Sequence, residues 1–76
     1  MEATLSPPIN DVAQIARSRL SHSPYMAIRT VSCDYENGVL WLYGRSRSFY
    51  HKQLAQETVR WLAGVRQIIN KIEVVD

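Results

Sequence analysis

Apolar residues recur across 11–22 at Val12, Ala13, Ile15, Ala16 and Leu20, a spacing that lines one side of a helix. Asn10 or Asp11 supplies a side-chain oxygen for the unsatisfied N–H groups at its start. Ser23-Pro24 stops it, because the residue before a proline avoids helical backbone. The period then shortens. Over 28–35, Val31, Cys33 and Tyr35 share one parity and Thr30, Ser32 and Asp34 the other, which is the alternation of a half-buried strand. Asn37-Gly38 follows, a pair that accepts positive φ at both positions and so marks a hairpin. Residues 39–45 form the return strand, with Leu40 and Leu42 on one side and Val39, Trp41 and Tyr43 on the other. Ser48 is placed to cap a second helix over 49–62, whose inward stripe is Ala55, Thr58, Val59 and Leu62; Leu54 and Trp61, seven apart, share a side of it, and Trp61 is expected at the core edge. Gly64 suits the left-handed position that ends a helix. A third strand runs over 68–75, with Ile68, Ile72 and Val74 on one side.

The order helix, strand, strand, helix, strand predicts an α+β domain, a two-layer sandwich in which both helices cover one face of a three-stranded sheet. A crossover through the second helix makes the second and third strands parallel and leaves open whether they are neighbours. If Leu40 and Leu42 face the helices, Trp41 and Tyr43 face away, and Ile69 and Val75 share that outward parity. These four form a candidate interface on an open sheet face. Two alternatives stand beside it: the lead around residues 5–9 folds back over the face, or Trp41 and Tyr43 are isolated aromatics among Lys71 and Glu73.

Seventy-six residues hold one domain, here a flexible lead over 1–9 and a folded unit over 10–76. Such a chain buries only about 60% of its unfolded surface, which keeps its stability margin thin. Nine Lys and Arg against seven Asp and Glu give a net charge of +2, too little for bulk nucleic-acid binding. Trp41 and Tyr43 also share their face with Asp34 and Glu73, which argues against a nucleic-acid partner. The single Cys33 cannot form an internal disulfide. The first eight residues carry no Lys or Arg and no apolar segment, unlike a secretory signal, so the chain as written is expected to be cytoplasmic. As a domain of a longer exported protein it would belong to the periplasm or envelope. The longest uninterrupted apolar run, residues 39–43, is far below the roughly 18 residues of a membrane span.

Two segments carry a family resemblance. One is Asn37-Gly38-Val39-Leu40-Trp41-Leu42-Tyr43-Gly44; the other is Gly64-Val65-Arg66-Gln67-Ile68-Ile69-Asn70-Lys71-Ile72. In this order and at this separation, with Ala55 between them, they resemble the BON domain over about residues 10–75. The resemblance implies the same helix–strand–strand–helix–strand fold and a bacterial, non-enzymatic module. Its implied roles are binding phospholipid surfaces or mediating protein contacts, mostly in the cell envelope. As written, the chain is expected to depart from the common pattern, with a single copy and no export signal. The family offers no universal ligand set, so no site residue is carried over.

The residues themselves point away from catalysis. Cys33 lies on the apolar parity of its strand and reads as a small core residue, with His22 and His51 at unrelated spacing. Ser46 and Ser48 lack a nucleophile-elbow setting, no carboxylates pair for acid–base work, and no metal-ligand spacing is present. No enzyme activity and no cofactor are expected. The sharper candidate is an anion or lipid-headgroup site formed by Arg45, Ser46, Arg47, Ser48 and Lys52 around the start of the second helix, where free N–H groups and serine hydroxyls supply donors. The expected function is protein binding or self-association through the open sheet face, with peripheral binding of anionic phospholipid through the basic segment as the alternative.

Overall fold

The computed structural model describes residues 11–75. The elements are α1 (Asp11–Ser21), α2 (Met26–Arg29), β1 (Ser32–Glu36), β2 (Val39–Ser46), α3 (Phe49–Thr58) and β3 (Gln67–Val74). The α+β order read from the sequence holds, with one addition, the short α2. The proposed lead over 1–9 and the Asn10 cap lie outside the described residues.

The strands form one sheet in the order β1-β2-β3. β1 and β2 are antiparallel, with Glu36 opposite Val39 and Ser32 opposite Tyr43. Asn37 (φ 50°) and Gly38 (φ 83°) turn the chain between them, both in the left-handed region that matches the twist of a tight hairpin. β2 and β3 are neighbours and parallel, with Leu40 beside Ile68 and Ser46 beside Val74. The carbonyl of Gly38 accepts hydrogen bonds from the N–H groups of both Arg66 and Gln67, which pins the start of β3 against the hairpin.

Sequence parity decides what is buried. Leu40 and Leu42 of the central strand point to the helices and are fully covered. Around them pack Ala16 and Leu20 of α1, Ile28 of α2, Cys33, Ala55 and Val59, Leu62 and Ile72. Each large apolar side chain buried here contributes roughly 1.5–3 kcal/mol. Ile15, counted in the stripe of the first helix, instead faces out at 48% exposure.

Several boundaries differ from the pattern-based reading, the ends of α1, β1 and β2 by one residue each. Ile28 belongs to α2 rather than to the first strand, which begins at Ser32. It sits three residues before Val31, helix spacing rather than strand spacing, and Val31 N–H donates back to its carbonyl. The third strand starts and ends one residue earlier than expected. α3 ends at Thr58, not near residue 62. The Thr58 hydroxyl donates to the Leu54 carbonyl, and Trp61 adopts φ 66°, so the chain has left the helix before Leu62 drops into the core. Gly64 does take positive φ (90°), but inside a turn closed by Val65 N–H on the Leu62 carbonyl, not as the cap of α3. The early exit reverses the expectation for Trp61: it is 87% exposed, stacked under Arg60 at 4.8 Å, and not at the core edge.

Candidate functional site

Of the five residues proposed around the start of the second helix, which is α3, Arg45 and Lys52 line one open groove with Phe49 and Lys71, whereas Ser46 and Ser48 are engaged by the backbone. Ser46 is buried; its hydroxyl donates to the Ser48 carbonyl at 2.8 Å and accepts from Ser48 N–H at 3.1 Å. It is a structural hinge between β2 and α3, with its proton already committed. Ser48 is the N-cap in extended backbone, accepting from His51 N–H at 3.2 Å. Arg45 lies on the outer face of the sheet and pairs with Glu73 at 3.4 Å, an exposed contact worth little. Arg47 is exposed and Lys52 half-buried, its ammonium 6.0 Å from the centroid of the Phe49 ring. All three cations of the set reach solvent, Arg45 and Lys52 along one groove that Phe49 also lines.

What surrounds them was not apparent from spacing. α2 packs against α3, and the rings of Tyr25 and Tyr50 each lie 5.6 Å from that of His51. Hydrogen bonding with Tyr25 raises the Tyr50 phenol above its ordinary value. Met26, Phe49 and Tyr50 project into solvent at 70%, 73% and 61% exposure. α2, the start of β1, the end of β2 and the start of α3 all meet at this end of the molecule. One signal for it was present in the chain: residues 12–33 and 37–56 contain no Asp or Glu, yet hold Arg17, Arg19, Arg29, Arg45, Arg47 and Lys52.

The outer face of the sheet is the second candidate. Trp41 and Ile69 are direct neighbours across β2 and β3, and Tyr43 follows on β2; Trp41 and Ile69 are half-buried by their own neighbours and Tyr43 is exposed. Among the described residues no helix covers this face. Val75 stands apart, beyond the end of β3, with its N–H on the Ser46 carbonyl. Whether residues 5–9 reach the face lies outside the described residues.

Cys33 is buried, with its thiol 3.7 Å from the Ala13 carbonyl. Burial raises its pKa above the ordinary 9.0, with Arg17 opposing and Asp34 adding to the shift. Among the described residues no three His, Cys, Asp or Glu side chains gather as metal ligands, and no helix is long and apolar enough to cross a membrane.

The chain matches the BON domain model over residues 9–76 and belongs to the BON domain family. A search of curated proteins finds no match to it. Membership is consistent with a non-enzymatic interaction module.

Proposed function

We propose that this chain is a non-enzymatic module that docks on anionic phospholipid surfaces through the end formed by α2 and the first turn of α3. The observation that carries the reading is the exposure of Met26, Phe49 and Tyr50 beside Arg29, Arg47 and Lys52, in two chain segments free of carboxylates. Apolar side chains that project into the acyl boundary, ringed by cations facing the headgroups, are what peripheral membrane binding requires. Aromatic rings with polar rims, as on Tyr25 and Tyr50, suit that boundary.

Co-sedimentation with phosphatidylglycerol and phosphatidylcholine vesicles tests the proposal. Binding to the first and not the second, weakened as salt shortens the range of the electrostatic attraction, is expected. Phe49→Ser with Tyr50→Ser should weaken binding at every salt concentration, whereas Arg47→Glu with Lys52→Glu should weaken it most at low salt. Equal absence of binding to both vesicles at low salt overturns the reading, as does indifference to both pairs of substitutions.

A further inference from the structure

The outer face of the sheet supports a second contact, which adjoins the basic end where Tyr43, Arg45 and Lys71 share an open groove with Phe49 and Lys52. Its charges are segregated along a diagonal. Asp34 and Glu36 stand on β1 toward the hairpin turn, and Lys71 stands on the opposite edge strand, one outward-facing row further along. Trp41, Tyr43 and Ile69 lie between. Among the described residues, Arg45 and Glu73 pair with each other on this face, and neither Asp34 nor Lys71 has an ion-pair partner. A face with opposite charges at opposite corners is complementary to itself when a two-fold axis turns one copy onto another. We propose that it docks a second copy of this chain, in a two-fold dimer whose strands cross at about 90°, the orthogonal mode of sheet packing.

Symmetry selects this arrangement from four. An axis along the strands sets Asp34 against the partner's Ile69, and one across them sets Lys71 against the partner's Ile69. The diagonal through the two charged corners stacks Asp34 on the partner's Asp34 and Lys71 on the partner's Lys71. The other diagonal sets Asp34 over the partner's Lys71, twice by symmetry, and Ile69 against the partner's Ile69 at the axis. On an ideal grid, with strands about 4.8 Å apart and alternate residues about 6.8 Å apart, the Asp34 and Lys71 positions then coincide within about 2 Å. Twist favours the same solution. With the right-handed crossover that parallel strands adopt and the ordinary sheet twist, the Asp34 and Lys71 corners are the pair that rises toward the partner, while the Ile69 corner recedes and Trp41 and Tyr43 lie nearest the centre of the contact. Three short strands offer less than the roughly 800 Å² per partner of a standard interface, so the dimer is weak, with a Kd of tens to hundreds of micromolar.

Sedimentation equilibrium from about 10 µM to about 1 mM, without lipid, tests the dimer over the range its small area implies. Wild type should move from monomer to dimer. Asp34→Lys and Lys71→Asp, each confirmed as folded by circular dichroism, should each weaken association by at least about tenfold, because each sets like charges opposite one another twice. An equimolar mixture of the two variants should recover association, since each charge then meets its opposite, and the chain carrying both substitutions should recover it alone. A wild type that stays monomeric to the highest concentration overturns the proposal, and so does a mixture that associates no better than its components.

Discussion

Gly38 shows how much one residue can hold. Its φ of 83° lies where an L side chain is strained, and a Cβ built there meets the Arg66 side chain at 2.8 Å. The arginine is flexible and can move away; the backbone cannot. Gly38→Ala should therefore cost about 1–2 kcal/mol in urea denaturation, the strain of a left-handed non-glycine residue, while Arg66→Ala leaves stability nearly unchanged. Cys33 makes a different kind of prediction. Burial lifts its pKa above 9.0, so the folded chain holds the thiol proton more tightly than the unfolded chain does. Stability from this group is fully present below the unfolded value and is lost as pH rises through the folded one. Compared with Cys33→Ala, wild type should lose more stability between pH 8.5 and pH 10.5, and its thiol should resist alkylation until the chain unfolds. Equal pH slopes in the two proteins would show that the thiolate is not disfavoured in the fold.

At the scale of elements, Asn70 fastens β3 to α3. Its side-chain amide donates to the Lys52 carbonyl at 2.8 Å and to Gln56 at 3.2 Å, while its oxygen accepts from Ile72 N–H at 3.1 Å. That last bond occupies a backbone donor along the edge strand, where an open N–H invites pairing with another chain. Asn70→Ala should cost about 1–3 kcal/mol and raise aggregation on heating, whereas Ser48→Ala, which removes only a helix cap, should cost about 1 kcal/mol without that tendency. Thermal melts with light scattering separate the two outcomes. The elements that could be read from the chain are those whose cue is local. The parity of Leu40 and Leu42, the Asn37-Gly38 pair and Ser48 each act within a few residues. α2 has one buried anchor, Ile28, and four residues cannot display a period. The end of α3 was hidden because Leu62 keeps helical spacing from Val59 although a turn, not the helix, delivers it to the core. The candidate site was legible in the same uneven way. Arg47 and Lys52 are identified by charge alone, but the commitment of Ser46 to the Ser48 backbone depends on geometry, and Tyr25 meets His51 only because α2 packs on α3.

For the whole molecule, the two proposed surfaces have a geometric relation. The basic end lies beyond the C-terminal end of β2, so within each copy it points along the central strand. In a two-fold dimer with strands crossing at about 90°, these directions lie about 45° to either side of the axis and point the same way along it. A membrane perpendicular to the axis would meet both basic ends together. Once one end is bound, the second is held at a high effective concentration near the surface, which strengthens binding without any new contact. Vesicle binding by wild type should therefore rise more steeply than first order in protein concentration near the dimer Kd. Trp41→Asn, confirmed as folded by circular dichroism, leaves the net charge and the basic end untouched while removing the apolar contact at the centre of the face, and should bind with a simple hyperbola and about tenfold or more weakly at those concentrations. At concentrations far below the dimer Kd the two proteins should bind alike, because both are then monomers offering one end each. A wild type and a Trp41→Asn variant that bind identically across the whole range would separate the surfaces: each could still operate, but not on one membrane at once.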